Sequence, residues 1–331
     1  MINKIDIVIT WVDGSDEKWL SEKAKYDTKN KDDSNSSIRY REWGLLKYWF
    51  RSIEENAPWI NHIYLITCGH YPSWLNLDNP KLTLIKHSDF IPEKYLPTFN
   101  SNVIELYMHR IKNLSDKFIY FNDDMFIIDK VTPDYFFKND LPLDSLVFNA
   151  VSVGKENNII EHTILNNLEI VSKYFDKADN KLNKIFNFRY GKNNIRNLLL
   201  FPWKRYTGVY NFHTCIPYNR KLIEEIWELE GHSLENTMNN KFRTKNDYSH
   251  WLYRYWSLMS GNFVPTSMNY TYYYNLQNDN SDFFRKIKNK KYKVICLNDS
   301  EEDIDFNSVK KETILLFEEL FPNPSTFEKY N

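Results

Sequence analysis

The chain has 331 residues, and its 43 basic and 44 acidic side chains leave a formal net charge of −1. This balance excludes a strong whole-molecule field, so no nucleic-acid partner is expected. Cys68, Cys215 and Cys296 form no C-x-x-C pair, which argues against a disulfide framework and a thiolate zinc site and favours the reducing cytosol.

Short apolar runs recur in the first half of the chain, and each one ends in polar or small residues. These runs predict strands at residues 5–10, 63–67, 82–85 and 118–121. Helical patterns at 39–56 and 101–114 lie between them, so the sequence predicts an α/β fold with a mainly parallel, Rossmann-like sheet flanked by helices. Ligands of such sheets bind beyond the carboxyl ends of the strands, where the polar clusters of this chain lie.

The pattern changes after a further predicted strand at 144–149. Residues 151–210 are expected to form an inserted helical lobe or lid between an α/β part at 1–150 and a third part at 211–331. In the third part, helices are predicted at 219–230 and 246–260, closed by Gly231 and Gly261. A late strand at 293–297 is expected to rejoin the sheet, and a helix at 308–321 covers it.

The stretch "TWVDGSDEKW" follows the first strand, and its Asp13-Gly14 pair predicts a tight turn. Such a turn would hold the Asp13 carboxylate over the sheet edge, where it could bind a ribose or sugar hydroxyl pair. A simple turn with Trp11 and Trp19 buried is an equal alternative, and Asp16 is a candidate cap of the following helix.

Residues 101–114 carry Asn102, Glu105 and His109 at three- and four-residue spacing, which places them on one helix face. That polar face would either line a cleft or lie in solvent, and the spacing alone favours solvent.

The polar triplet of "FIYFNDDMFII" interrupts an otherwise apolar run. In an extended backbone Asn122 and Asp124 would share one side, and Asp123 would face the other. Oxygen ligands of this kind suit Mg²⁺ or Mn²⁺. A turn rich in Asn and Asp is the alternative, and the triplet alone favours it. Asn298-Asp299, at the end of the late strand, shifts the balance toward a metal site.

Arginine and histidine residues suggest an anionic ligand and a proton acceptor. Arg39 and Arg41 open a predicted helix and Arg243 precedes another, where guanidinium groups and N-terminal amides together can hold phosphate. Surface salt bridges explain most single arginines, but three at helix starts favour an anion. His213, in "NFHTCIPYNR", is the best candidate for a titrating catalyst in the second half, although a lone histidine is more often structural.

Taken together, these blocks resemble the Stealth family of sugar-1-phosphate transferases. The resemblance covers most of the chain in four ordered blocks: "IDIVITWVDGSDEKW"; "RYREWGLLKYWFRSIEENAPWINHIYLIT" through "LPTFNSNVIELYMHRI" to "KFIYFNDDMFI"; "HTCIPYNRKLI" with "KFRTKND"; and "VICLNDS". It implies a GT-A-like fold, with nucleotide-sugar binding in 1–150 and a second catalytic part in 211–331.

The resemblance also implies an activity. The donor is expected to be a UDP-sugar, such as a UDP-hexose or UDP-N-acetylhexosamine, and the acceptor a glycan. A glycan hydroxyl would attack the sugar-proximal phosphorus, forming a phosphodiester and releasing UMP in capsular or cell-surface polysaccharide synthesis. The expected location is cytoplasmic. No run approaches the roughly 18 apolar residues of a membrane span, so association with membrane polysaccharide machinery would be peripheral, at the inner face.

Site residues follow from the same resemblance. The catalytic residues are expected to be His213 as proton acceptor, Asp124, Arg39 and Arg243. The divalent cation, Mg²⁺ or Mn²⁺, would bind Asp124, Asp299, Asn122 and Asn298. Substrate-binding residues would be Trp11, Asp13, Gly14, Arg41, Asn100, Asn102, Glu105 and His109.

Two alternatives stay open at this stage. The first is a GT-A-type glycosyltransferase that attacks the anomeric carbon of the same donor and releases UDP. The second is a non-catalytic carbohydrate-binding protein whose carboxylates only cap loops. The sequence contains no Gly-rich phosphate loop, no G-x-S-x-G elbow and no His-Cys metal spacing, so hydrolase and P-loop functions lack support.

Overall fold

A computed structural model describes residues 4–27, 40–154, 159–299 and 304–329 of the chain. Its strands are β1 (Ile5–Thr10), β2 (Ile63–Thr67), β3 (Leu82–Lys86), β4 (Lys117–Asn122), β5 (Met125–Ile127), β6 (Phe137–Lys138), β7 (Leu141–Asp144), β8 (Ile216–Asn219), β9 (Val264–Pro265), β10 (Thr271–Asn275) and β11 (Val294–Asn298). Its helices are α1 (Glu17–Tyr26), α2 (Leu46–Asn56), α3 (Ser101–Tyr107), α4 (Ile159–Tyr174), α5 (Leu182–Ile185), α6 (Asn194–Leu200), α7 (Arg220–Met238), α8 (Trp251–Met259), α9 (Ser281–Lys288) and α10 (Phe306–Leu320).

The main sheet has five strands in the order β3-β2-β1-β4-β8. Strands β1 to β4 run parallel to one another, and β8 at the edge pairs antiparallel with β4. The chain moves outward from β1 to β3 and then returns to the other side of β1 at β4. The topological switch point, where α/β sheets bind ligands, therefore lies between β1 and β4. The predicted α/β fold with a mainly parallel, Rossmann-like sheet is confirmed.

Helices cover both faces of this sheet, which explains why its strands are apolar on both sides. Because successive strand residues face opposite sides, Ile7 and Ile9 lie in one core and Val8 in the other. Helices α2 and α10 contribute to the first core, and α3, α7 and α8 to the second.

A second sheet has the strand order β10-β11-β5, and its strand β5 follows β4 of the main sheet in the chain. The predicted late strand is present as β11, but it pairs with β10 and β5, so the expectation that it rejoins the main sheet was wrong. The physical reason is the turn after β4, which turns the chain out of the main sheet and into β5. The Leu297 amide donates to the Asp124 carbonyl oxygen at 2.8 Å, which brings the end of β11 to the switch point.

Other predicted bounds also differ from the structure. The helix predicted at 39–56 begins only at Leu46. The strand predicted at 144–149 lies earlier in the chain, as β7 at Leu141–Asp144. Helix α7 continues through Gly231 to Met238, because burial of Leu234 and Met238 outweighs the roughly 1 kcal/mol cost of a helical glycine. Helix α8 begins at Trp251, five residues later than predicted.

Residues 244–250 form a loop before α8 instead of its first turn. The Asp247 carboxylate organises this loop by accepting hydrogen bonds from the Thr244 amide, at 3.1 Å, and from the Asn100 side chain, at 2.7 Å. A buried carboxylate with these partners is satisfied only in the loop conformation.

Helices α4, α5 and α6 occupy much of the predicted insertion, and α4 packs against α8. The division of the chain at 150 and 210 stays a prediction. In the described ranges, none of the helices combines the length and apolar character needed to cross a membrane. Cys68, Cys215 and Cys296 are free, as expected.

Candidate active site

A cleft with a volume of about 360 Å³ lies at the switch point, beyond the carboxyl ends of β1 and β4. That volume is in the range of small-molecule sites. The structure brings ten predicted residues together in its lining: Trp11, Arg41, Asn102, Glu105, Asn122, Asp124, His213, Arg243, Asn298 and Asp299. Arg39 lies outside the described residues.

The triplet Asn122-Asp123-Asp124 forms the turn between β4 and β5. The expectation of an extended backbone, with Asp123 facing away, was wrong: the chain turns here, and all three residues line the cleft. Asn122 Oδ1 accepts the Tyr120 hydroxyl at 2.6 Å, and Asp124 Oδ2 accepts the Cys296 thiol at 3.2 Å. Asp123 is exposed at this turn, next to the Asp124 carboxylate.

Asp299 lies at the end of β11 on the cleft wall. Its Oδ2 accepts the Trp43 indole N–H at 3.2 Å, and its Oδ1 lies 3.6 Å from Arg41 Nη1. Burial raises the pKa of Asp299, while Arg41 opposes the rise. Asp299 Oδ1 and Arg41 Nη1 are nevertheless both buried without a hydrogen-bond partner. This wall therefore holds a carboxylate oxygen and a guanidinium nitrogen that still need partners.

Glu105 faces the cleft from α3, as the family resemblance implied, whereas the spacing alone favoured solvent. It accepts the Tyr120 hydroxyl at 3.1 Å and lies 3.6 Å from His250 Nε2. Burial raises the pKa of Glu105 and lowers that of His250 to about 3, so His250 is uncharged at neutral pH. Arg243 donates a hydrogen bond to the Ser101 hydroxyl at the start of α3. Arg243 lies in a loop instead of before a helix start, and so does Arg41, which contradicts the sequence prediction.

His213 lies in the loop before β8 with a positive φ of 47°. Its Nε2 is 3.9 Å from Asp124 Oδ2, and its ring meets the Tyr273 ring edge-on at a centroid distance of 4.9 Å. One third of the side chain is exposed to the cleft. An imidazole that is partly exposed at a ligand cleft, beside an aspartate, is a candidate general base.

The donor atoms present fit a divalent cation. Asp124 Oδ1, like Asp299 Oδ1, is buried without a hydrogen-bond partner, and a cation would satisfy such oxygens. One group of potential ligands among the described residues has donor atoms within 4.8 Å of one another: Asp124, His213 and Cys296. This group shares only Asp124 with the predicted ligand set. The side-chain nitrogen of Asn298 donates to Asn275 Oδ1 at 2.8 Å, and the role of its oxygen as a ligand stays a prediction.

Asn100 and His109 do not line the cleft, which corrects two predictions. Asn100 is fully buried, and its side chain caps α3 and donates to Asp247. Helix α3 ends at Tyr107, so His109 leaves the polar stripe. Its ring packs beside Tyr107 and Trp227, and its Nδ1 is 3.2 Å from the Leu106 carbonyl oxygen.

Asp13 and Gly14 form the simple turn that was the alternative interpretation, and neither lines the cleft. Asp13 Oδ1 accepts the Ser15 amide at 2.8 Å, while Trp11 and Trp19 are buried. A Cβ atom on Gly14 would lie 1.8 Å from the Tyr40 carbonyl oxygen, so this glycine is needed for a close backbone approach. Asp16 caps α1 by accepting the Trp19 amide at 2.7 Å.

Glu42, Trp43 and His250 are among the charged and polar cleft residues that escaped prediction. Glu42 is held by the Trp11 indole N–H at 2.9 Å and the Gly44 amide at 2.6 Å, and burial raises its pKa. Nothing in the local sequence distinguishes Glu42 from a surface residue, since its partners are set by the fold. The helix predicted at 246–260 hid His250, which precedes the actual start of α8.

His109 is expected to make stability depend on pH. Burial and, to a smaller extent, Arg110 lower its pKa from 6.5 to about 3. The unfolded chain therefore binds the extra proton first, and stability is lost as the pH falls from about 6.5 toward 3. Between pH 7 and pH 5 this loss amounts to about 2 kcal/mol.

His109→Phe keeps an aromatic ring in the same position and cannot take up a proton. The Leu106 carbonyl oxygen also accepts from Trp227 and Tyr253, so it keeps partners in this variant. The melting temperature of His109→Phe should fall less between pH 7 and pH 5 than that of the unchanged protein, as measured by circular dichroism. Parallel decreases in the two proteins would contradict the depressed pKa.

The fold and the cleft define an α/β enzyme with acidic and cationic side chains at the topological switch point. Comparison with known proteins identifies its family. The chain matches three Stealth protein models: conserved region 1 at residues 3–31, conserved region 2 at 39–143 and conserved region 4 at 285–331.

Curated relatives match over almost the whole chain. A capsular polysaccharide phosphotransferase of Streptococcus pneumoniae, WcwK, is 44% identical, with 99% of each chain covered. An exopolysaccharide phosphotransferase of Lactiplantibacillus plantarum, cps2G, is 37% identical over 98% of this chain and 96% of its own. A receptor polysaccharide phosphotransferase of Streptococcus gordonii, WefC, is 36% identical over 99% of this chain and 100% of its own. Among solved structures, the galactosyltransferase LgtC matches with 12% identity, a TM-score of 0.41, and 97% and 96% of the two chains covered.

The chain therefore belongs to the Stealth family, and it is an enzyme of the phosphotransferase class. This conclusion excludes the non-catalytic alternative. One of the four blocks of the sequence resemblance contains His213 and Arg243. This block lies between the matched regions at 39–143 and 285–331, so its correspondence to a Stealth block stays a prediction.

Proposed function

We propose that the enzyme transfers a sugar-1-phosphate from a UDP-sugar to a glycan hydroxyl. The hydroxyl oxygen forms a bond to the sugar-proximal phosphorus, the bond from that phosphorus to the bridging diphosphate oxygen breaks, and UMP leaves. The bond between the sugar and its phosphate persists, so the product is a phosphodiester. Capsular, exopolysaccharide and receptor polysaccharide relatives support a cell-surface glycan as the acceptor.

One observation carries this proposal. Buried carboxylate oxygens of Asp124 and Asp299 that lack partners occur in the same cleft as the guanidinium groups of Arg41 and Arg243. Carboxylates alone would repel a diphosphate, and guanidinium groups alone would not hold a cation. The combination suits a cation-bound diphosphate, because phosphoryl transfer depends on charge neutralisation and positioning more than on a covalent intermediate.

Mg²⁺ or Mn²⁺ fits the acidic side of the cleft, with Asp124 and Asp299 as the carboxylates that would hold it and Asn122 nearby. When bound, such a cation neutralises charge on the diphosphate.

The chain's own residues supply the remaining functions. Arg41 and Arg243 offset the negative charge on the transferred and leaving phosphates. His213 Nε2 accepts the proton of the attacking hydroxyl, and Asp124, 3.9 Å away, stabilises the imidazolium that results. Trp11 and Asn102 line the walls that would hold the nucleotide sugar.

We propose a cytoplasmic location for the reaction, which the three free cysteines support. The donor sugar is expected to be a hexose or an N-acetylhexosamine carried on UDP. A panel of UDP-sugars tested for protection of the protein against thermal unfolding, with and without Mn²⁺, identifies the donor independently of the acceptor.

The released nucleotide tests the reaction type. Purified protein is incubated with Mn²⁺ or Mg²⁺, a UDP-sugar that protects it from unfolding, and a glycan acceptor, and the nucleotides are separated by chromatography. We expect UMP whose formation depends on the acceptor, together with a phosphodiester in the product detected by phosphorus NMR. UDP instead of UMP would mean attack at the anomeric carbon, and the glycosyltransferase alternative would replace this proposal.

A further inference from the structure

Helix α6 has its polar and apolar faces reversed relative to an ordinary surface helix. Ile195, Leu198 and Leu199 lie at i, i+3 and i+4 on one face, and each side chain is more than 60% exposed. Asn197, on the opposite side, is fully buried. A surface helix normally buries its apolar stripe, so this arrangement indicates a face that binds another surface.

Neighbouring segments extend the exposed apolar surface. Phe188 is 82% exposed, Leu182 is 62% exposed and Trp203 is 57% exposed. The apolar patch is defined here as Leu182, Phe188, Ile195, Leu198, Leu199 and Trp203. Six large apolar side chains within 22 residues exceed the scattered exposure that is normal for a protein surface.

Buried polar contacts hold this segment in place. Asn197 accepts the Phe148 amide at 2.6 Å and donates to the Leu146 carbonyl oxygen at 2.8 Å and to the Ile185 carbonyl oxygen. The Lys177 ammonium donates to the carbonyl oxygens of Leu200, at 2.6 Å, and Trp203, at 3.0 Å. The exposure of the apolar patch is therefore built into the fold by satisfied hydrogen bonds.

The segment that carries the apolar patch is basic in sequence, although the exposed Asp176 and Asp179 precede it. From residue 180 to 223 the sequence contains no Asp or Glu, although the whole chain is balanced at 43 basic and 44 acidic residues. Seven basic residues of this segment are exposed. Arg196 donates to Asn149 Oδ1 and Lys221 lies 2.9 Å from Asp116, and the other five are Lys181, Arg189, Lys192, Lys204 and Arg205. Exposed aliphatic and aromatic side chains ringed by Lys and Arg are typical of surfaces that bind anionic lipid bilayers.

We propose that the apolar patch and its five basic residues form a docking surface for an anionic phospholipid membrane. The Leu, Ile, Phe and Trp side chains enter the boundary between headgroups and acyl chains, and the cations contact anionic headgroups. A glycan would call for aromatic platforms and hydrogen-bonding side chains, whereas three of these six residues lie on one aliphatic helix face. This site is separate from the cleft and does not depend on the proposed reaction.

Vesicle flotation tests this docking surface directly. The purified full chain is mixed with vesicles of phosphatidylcholine alone or of phosphatidylcholine with phosphatidylglycerol, at low and high salt. We expect the protein to float with the phosphatidylglycerol vesicles and to be released by salt, because headgroup attraction is screened. Leu199→Glu should weaken partitioning into these vesicles about tenfold or more. The variant loses one leucine that would enter the membrane and gains one negative charge, and both changes oppose binding.

Matched variants separate the docking surface from general changes of charge and hydrophobicity. Leu315, on α10, is also exposed, at 54%, and Leu315→Glu makes the same chemical change outside the apolar patch. Lys204→Glu and the control Lys311→Glu form a second pair, both at exposed lysines. Leu199→Glu and Lys204→Glu should bind the vesicles more weakly, and the two controls should float like the unchanged protein.

Three results would overturn the proposal. The first is failure of the unchanged protein to float with phosphatidylglycerol vesicles, and the second is equal binding to neutral vesicles at both salt concentrations. The third is self-association of the chain that Leu199→Glu abolishes in sedimentation velocity without any lipid binding, which would make the patch an interface between copies. Nucleotide release in the cleft can succeed or fail independently of all three.

Discussion

Asp124→Asn is expected to lower kcat by about 10²–10³-fold, the size of effect found when one group that stabilises transition-state charge is removed. The asparagine has nearly the same volume but carries no charge. It therefore removes the carboxylate that the proposed cation and the imidazolium of His213 both need.

The same substitution is expected to leave stability unchanged or to increase it. Asp124 Oδ1 is buried without a hydrogen-bond partner, and the Asp123 carboxylate is its neighbour in the sequence. Neutralising one of two close carboxylates relieves their repulsion in the ligand-free protein. Loss of activity together with an equal or higher melting temperature is the signature of a residue kept for function at the expense of stability.

Thermal unfolding with Mn²⁺ provides a readout that does not depend on activity. A ligand that binds the folded state raises the melting temperature, so Mn²⁺ should stabilise the unchanged protein and have much less effect on Asp124→Asn. Asp78→Asn, at an exposed position remote from the cleft lining, is the matched control and should respond like the unchanged protein. A full Mn²⁺ response and a normal kcat in Asp124→Asn would remove this residue from the site.

The sequence predicted the main sheet well because its strands are buried on both faces. Continuous apolar runs such as 5–10 and 63–67 match β1 and β2 to the residue. Their polar ends also located the cleft, since parallel strands bring their carboxyl ends to one edge. This logic placed Asn122, Asp124 and Trp11 correctly in the lining.

Predictions of site residues failed where a helix ended earlier than its pattern indicated or where a side chain bonded to a distant part of the chain. His109 would share a face with Glu105 only if α3 continued, but the helix ends at Tyr107. Asn100 looked like a ligand-binding amide, yet its partner is Asp247, 147 residues away in the sequence. Pairs of residues that are far apart in the sequence leave no local pattern. Glu42, whose partner is Trp11, and His250, which lies beside Glu105, were missed for this reason.

The second sheet shows a limit of topology prediction. The run at 293–297 was correctly predicted as a strand, but nothing in its composition distinguishes one sheet from another. Its partner β5 has only three residues, Met125–Ile127, and appeared in the sequence as a continuation of the preceding strand. The turn at Asn122-Asp123-Asp124 therefore separates two sheets as well as lining the cleft.

His213→Gly is expected to lower kcat by about 10²–10⁴-fold, the range found when a general base is lost. Glycine suits this position because the backbone has a φ of 47°, which glycine adopts without strain. The substitution also leaves an imidazole-sized space beside Asp124, next to the Tyr273 ring.

Added imidazole should restore part of the activity of His213→Gly, because it can occupy that space and accept the acceptor's proton. Asp124→Asn keeps its own imidazole and should not respond, which makes it the control for nonspecific activation. Rescue would identify His213 as the proton acceptor, and the Mn²⁺-induced rise in melting temperature should persist in His213→Gly. If that rise disappears and imidazole gives no rescue, His213 belongs to the group that holds the cation with Asp124 and Cys296, and another residue must accept the proton.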